Sequence, residues 1–223
     1  KELIDSGKLA TIKVKCLVLS HPIEERKKLI AGTYQDEVEH IISYQPRNQF
    51  IRNLAVSLKG NTLILYAYVE KHGEVLHEII RDKAGERKVF FVHGGVDGEE
   101  RESIRAIVEK EKDAIIVASY GTFSTGINIK NLHNVIFASP TKSRIRTLQS
   151  IGRGLRVSDT KDSMTLFDIA DDLSHNKKKN YTLNHLIERV KMYSSEGFPY
   201  ELHNIKLRSD DGAGRRSLFS EAD

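Results

Sequence analysis

Six apolar runs punctuate the chain: KCLVLS (15–20), NTLILYAYV (61–69), KVFFVHG (88–94), DAIIVASY (113–120), NVIFASP (134–140) and SMTLFDIA (163–170). They are rich in β-branched and aromatic residues, and mostly continuous rather than alternating in polarity. That is the pattern of strands covered on both faces. Between them lie stretches with helical spacing: PRNQFIRNLAVSLK (46–59), EKHGEVLHEIIRDK (70–83), DGEERESIRAIVEKEK (97–112) and TKSRIRTLQSIGRGLR (141–156). In the third, Asp97 and Glu100 resemble a capping box, and Ile104, Ile107 and Val108 supply the apolar stripe. A last helix, YTLNHLIERVKMYSSEG (181–197), sets Leu183, Leu186, Ile187, Val190 and Tyr193 on one face. Strand–helix alternation predicts an α/β fold: a doubly wound, mainly parallel sheet with helices on both faces and a C-terminal helical appendage. The tail 208–223 has little apolar content and reads as a flexible or appended segment.

Composition narrows the picture only a little. Of 223 residues, 39% are hydrophobic and 30% charged, which fits a soluble globular protein rather than a disordered one. The formal charge of +4 comes from 35 basic against 31 acidic residues, so a polyanionic partner is permitted but not demanded. Cys16 is the one cysteine, which excludes an intrachain disulfide and a thiolate metal cluster. The start KELIDSGKLA lacks the apolar core of a secretory signal, and the run TLILYAYV falls short of the roughly 20 residues that span a bilayer. An intracellular, cytoplasmic protein with no membrane partner is expected.

One stretch is chemically unusual. TLQSIGRGLR (147–156) reads as helix yet holds Gly152 and Gly154, each costing about 1 kcal/mol relative to alanine. At about 100° per residue, Gln149, Arg153 and Arg156 share one face, while Leu148, Ile151 and Leu155 share another. The glycines remove bulk beside a Gln-Arg-Arg row. Planar, permanently charged guanidinium groups suit phosphate oxygens. Arginines in a last helical turn also complement the helix dipole, and on chemistry alone both readings stand.

The pattern Gln149-Ser-Ile-Gly152-Arg153-Gly-Leu-Arg156 resembles the Q-x-x-G-R-x-x-R motif VI of superfamily 2 helicases and translocases. SYGTFSTGINIKNLHNVI (119–136) resembles their motif V, with Gly126, Ile127 and Asn128 on its Gly–apolar–Asp/Asn core and a loop one residue longer than the commonest form. There Ser119, Thr122, Ser124 and Thr125 offer hydroxyls suited to phosphate oxygens; the alternative is a polar connection capped by Ser and Thr. NTLILYAYVEKHGEVL (61–76) resembles motif IV, with Tyr66, Tyr68 and Lys71 as candidates to face nucleic acid or, for the tyrosines, to lie in the core. FFVHGGVDGEER (90–101) resembles the following block, where His93 and Gly94 would approach a phosphate backbone. No second ligand at helical or hairpin spacing supports His93 as a metal site; a buried, satisfied histidine is its structural alternative. YQPRNQFIRNLAVSL (44–58), with its Arg-Asn pair, resembles the helix before motif IV.

The resemblance covers roughly residues 1–207 and, within the superfamily, is nearest to phage recombination helicases of the UvsW type, then the XPB-like and RecG-like groups. It implies the second RecA-like domain of a DNA helicase: an interdomain linker and entry segment over 1–45, the RecA-like domain over 46–175 and a helical extension over 176–207. It implies Arg153, Arg156 and Gln149 as catalytic residues reaching ATP and Mg²⁺ bound by an N-terminal RecA-like domain. Gly126, Asn128 and Gly152 would lie near the nucleotide, and His93, Gly94, Ser119, Thr122, Tyr68 and Lys71 near branched DNA or an RNA–DNA hybrid. No G-x-x-x-x-G-K-[ST] loop and no acidic Mg²⁺ motif occurs in the chain, so alone it is expected to bind no cofactor and to hydrolyse no ATP. A non-catalytic binding module and a duplex translocase of the remodeller or restriction-motor type are the alternatives.

Overall fold

Continuous apolar runs need cover on two sides, and the chain provides it by laying its strands in one parallel sheet. The computed structural model describes residues 11–124, 129, 131–140 and 163–209, and elements are numbered over these. The strands are β1 (Thr11–Ser20), β2 (Thr62–Tyr66), β3 (Val89–Val92), β4 (Ile115–Ser119), β5 (Asn134–Phe137), β6 (Ser163–Asp172) and β7 (Tyr200–Lys206). Their order across the sheet is β3-β4-β2-β5-β6-β1-β7, and each pairing is parallel.

Alternate residues of each strand feed two cores. Leu63, Leu65, Ile116 and Val135 face one side with Ile104 and Val108 of α5 (Gly98–Lys110) and Leu186 and Tyr193 of α7 (Tyr181–Glu196). Ile64, Tyr66, Val117 and Ile136 face the other with Ile51 and Ala55 of α3 (Gln45–Ser57) and Leu76 and Ile80 of α4 (Glu74–Arg81). The helices thus lie on both faces, as the continuous strand pattern requires. Asp97 caps α5, its carboxylate accepting from the Glu100 amide at 2.8 Å. Gly197, at φ 73°, takes the left-handed turn that ends α7.

Several elements differ from the sequence expectation. Within the stretch expected as interdomain linker and entry segment, where only the strand at 15–20 was expected, the chain forms β1, α1 (Ile23–Lys28) and α2 (Tyr34–Ser43). β1 pairs with β6 on one side and β7 on the other. Lys13 and Lys15 break its apolar run, so only KCLVLS stood out. β7, YELHNIK, has no apolar pattern because it is an exposed edge strand whose place is set by main-chain pairing. The expected helix over 70–83 is divided into a π-helical turn, Val69–Gly73, and α4.

The last helix is tied down at both ends. The Glu37 carboxylate, buried on α2, accepts from the amides of Thr182 (2.7 Å) and Tyr181 (3.0 Å), free donors of the first turn of α7. Farther along, Arg189 and Tyr193 reach Asp168 on β6.

Candidate functional site at the carboxyl edge of the sheet

A parallel sheet ends all its strands on one edge, and ligands of such sheets bind outside that edge. Register makes the alignment concrete here: Tyr66 pairs with Ser119, Val92 with Ala118 and Leu65 with Phe137. The segments leaving β2, β3, β4 and β5 therefore emerge side by side. They bring Tyr68, Lys71, His93, Gly94, Ser119 and Thr122 to one rim.

Tyr66 is not available at that rim. It is fully buried, its hydroxyl donates to the Val92 carbonyl at 3.2 Å, and its ring stacks on Phe91 at 5.7 Å. Burial, reinforced by Glu74, pushes its phenol well above the ordinary range. Of the two readings for this tyrosine, the core reading holds. Tyr68 is half-buried, and its carbonyl accepts from the amides of His72 (3.2 Å) and Gly73 (2.8 Å), opening the π-helical turn. Lys71 is exposed, with Nζ 3.7 Å from Glu39. A surface pair of this kind is worth about 1 kcal/mol or less, so an incoming anion can displace it.

His93 is half-buried, with its ring 5.2 Å from that of Phe91. Its Nδ1 accepts from the Gly95 amide at 3.1 Å, which leaves Nε2 as the N–H donor. Gly94 is exposed, and a Cβ there would meet no atom within 4 Å, so neighbouring backbone or ligand has room to approach. Gly95 is different: a Cβ would sit 2.9 Å from the His93 ring, so a side chain there would push that ring from its present position. Sequence reading did not single out Gly95.

Ser119 closes β4, and its Oγ lies 2.7 Å from Thr122 Oγ1 while accepting from the Thr122 amide at 3.2 Å. That caps the short helix α6 (Tyr120–Ser124). Thr122 is buried, whereas Ser119 remains partly open to solvent. Gly126, Asn128, Gln149, Gly152, Arg153 and Arg156 lie outside the described residues. Among the described residues no three His, Cys, Asp or Glu side chains converge on a metal position. No described helix is long and apolar enough to cross a membrane.

Behind the rim lies a buried polar layer that sequence reading did not single out. Arg47 Nε donates to both oxygens of Asp171, at 2.9 and 3.1 Å, and His21 Nε2 lies 2.9 Å from Asp171 Oδ1. Burial alone would raise the Asp171 carboxyl; Arg47 and His21 overcome it and hold the group well below the usual range. His72, Ser139 and Asn48 form a second buried cluster. These polar residues come from five separate stretches of the chain and share no local pattern.

Comparison with known proteins shows what the chain as a whole is similar to. Residues 45–158 match the family model described as helicase conserved C-terminal domain. The ATP-dependent DNA helicase uvsW of Enterobacteria phage T4 is 36% identical, over 92% of this chain and 43% of that protein. The crystal structure of T4 UvsW superposes with a TM-score of 0.76 at 38% identity, over 88% of this chain and 42% of that one. The Mss116p DEAD-box helicase domain 2, bound to an RNA duplex, shares the fold at 18% identity, with a TM-score of 0.52 over 89% of this chain and 65% of that one. The chain thus spans less than half the length of the T4 protein it matches.

Proposed function

Because this chain belongs to the helicase conserved C-terminal domain family, we propose that it is the second motor domain of an ATP-dependent DNA helicase acting on branched DNA or R-loops. The observation that carries this reading is the convergence of four strand exits on one rim. Tyr68 and Lys71, His93 and Gly94, and Ser119 stand there beside the exit of β5, which leads directly to residues 141–156 and the Gln-Arg-Arg row. DNA as the substrate is supported by the 36% identity to the T4 protein, itself named as a DNA helicase.

In this reading Arg153 and Arg156 meet the phosphates of ATP held, with Mg²⁺, by a first RecA-like domain. Gln149, Gly152, Gly126 and Asn128 border the same nucleotide. ATP hydrolysis supplies the free energy for changing the separation of the two domains. The residues of this chain contribute fixed positive charge where negative charge develops on the transferring group. Lys71, His93, Gly94, Ser119 and Thr122 lie along the nucleic-acid side. Contacts there go mainly to phosphates, which makes binding tolerant of sequence and sensitive to salt.

The test is ATP turnover by the full-length protein, with and without DNA. Arg153→Ala and Arg156→Ala are each expected to lower turnover by about a hundredfold or more while leaving the melting temperature unchanged. Near-normal turnover in both variants would reduce the arginine row to a dipole-complementing helix end. Strong DNA binding without any turnover in the unmodified protein would favour a binding module instead.

A further inference from the structure

The buried cluster behind the rim has a fixed polarity. Asn48 Nδ2 donates to the Ile42 carbonyl at 2.9 Å, so its Oδ1 faces His72 Nε2, 3.1 Å away. An amide oxygen only accepts, so His72 Nε2 carries the hydrogen. The His72 ring is fully enclosed and pushed down to about 3, first by burial and then by the charge of Arg47. It is therefore neutral, and its Nδ1 is an acceptor. Ser139 Oγ, 2.7 Å from Nδ1, must donate to it. The same hydroxyl accepts from the Ala67 amide at 3.0 Å. The chain of donors runs one way: Ala67 N–H to Ser139, Ser139 to His72, His72 to Asn48, Asn48 to Ile42.

The ends of this chain matter. Ala67 is the first residue after β2, next to Tyr68 and ahead of the π-helical turn that carries Lys71. Ser139 follows β5 and precedes Pro140 and residues 141–156. The Ser139 carbonyl also accepts from the Tyr120 hydroxyl at 3.3 Å, which links it to the segment leaving β4. His72 itself sits on the π-helical turn, an irregularity frequent at functional positions. The Ser139 hydroxyl thus ties the exit of β2 to that of β5, beside the main-chain bond from the Ala138 amide to the Leu65 carbonyl at 2.9 Å.

We infer that His72 is a positioning residue: through Ser139 it couples the Tyr68–Lys71 segment, on the nucleic-acid side, to the exit of β5 at Ser139. This rests on the function proposed above and adds a specific contact by which bound nucleic acid is felt at the exit of β5. Neither His72 nor Ser139 needs to touch nucleotide or nucleic acid.

The two ring nitrogens can be replaced one at a time. His72→Asn places an amide oxygen where Nδ1 accepts from Ser139, and loses the bond to Asn48. His72→Gln places an amide N–H where Nε2 donates to Asn48, and loses the bond to Ser139. In the full-length protein, turnover with and without single-stranded DNA, ATP affinity, melting temperature and hydrogen exchange of a peptide covering 67–71 are measured for both variants and for Ser139→Ala. His72→Asn is expected to keep DNA stimulation within about twofold. His72→Gln and Ser139→Ala are expected to lose about tenfold of it, with basal turnover and ATP affinity unchanged and faster exchange over 67–71. Equal losses in the Asn and Gln variants, or losses that follow melting temperature alone, would overturn the coupling role. Unchanged exchange over 67–71 in His72→Gln and Ser139→Ala would overturn it whatever the turnover shows. An unmodified protein without DNA-stimulated turnover would instead defeat the parent reading, and the coupling with it.

Discussion

Arg189 on α7 grips Asp168 on β6 at two points, Nε to Oδ2 at 2.7 Å and Nη2 to Oδ1 at 3.0 Å, where almost no water reaches either group. Tyr193, one turn farther along α7, donates its hydroxyl to the same Oδ2 at 2.6 Å. Two parallel N–H···O bonds fix orientation as well as distance. The helix is thereby locked in both rotation and slide against the face of the sheet.

Removing one member of such a pair leaves the other charged and buried. Arg189→Ala is expected to destabilise the chain by about 3–5 kcal/mol, read as a shift of the urea midpoint at constant slope. The double replacement Arg189→Met with Asp168→Leu should cost less than Arg189→Ala alone, since no stranded charge remains. A single variant within about 1 kcal/mol of the parent would mean that water reaches Asp168 after all.

Stability should fall in acid earlier than carboxylates alone would allow. The folded His72 titrates near 3, against an ordinary value of 6.5, so below 6.5 the unfolded chain binds a proton that the folded chain refuses. Its contribution is complete above about pH 6.5 and is lost as the pH drops toward 3. Between pH 6.5 and about 5 the loss from this one ring is about 2 kcal/mol. His40 and His77, also held low by burial, lose stability in the same window. Asp171, held below the carboxylate range, acts only at still lower pH. Urea unfolding at several pH values should therefore show a flatter profile between pH 7 and about 5 for His72→Asn than for the parent. Identical slopes would place the proton uptake on other groups.

How legible these features are in the sequence depends on what causes them. TLILY, IIVAS and NVIF announce β2, β4 and β5 because burial on both faces is a property of each residue in the run. β1 was only half visible, since Lys13 and Lys15 interleave with Val14 and Cys16. β7 was invisible because β1, not its own side chains, sets its place. Of the rim residues, His93 and Gly94 could be read from a local pattern. The pairing of His72 with Ser139 could not, since 67 positions separate them and only the adjacency of β2 and β5 brings them together. The Gln149–Arg156 pattern, legible as chemistry, lies outside the described residues.

The junction of the π-helical turn with α4 is sterically tight at Gly73, and it gives the last prediction. Gly73 has ordinary helical angles (φ −62°, ψ −50°), so its backbone would accept any residue. Its surroundings would not. A Cβ at Gly73 would lie 2.5 Å from Cε2 and Cζ of Tyr66, far inside van der Waals contact. Nor can Tyr66 easily step aside, because its hydroxyl is bonded to the Val92 carbonyl and its ring is stacked on Phe91. Gly73→Ala should therefore cost about 1–3 kcal/mol by overpacking, although alanine is the better helix former by about 1 kcal/mol. Tyr66→Leu alone also destabilises, by emptying part of the core and freeing the Val92 carbonyl. Together the two changes should cost less than their sum, because the shorter side chain makes room for the new methyl group. The coupling, measured by a double-mutant cycle in urea, is expected to be about 1 kcal/mol or more. Strict additivity would mean that the Tyr66 ring is not what requires glycine at position 73.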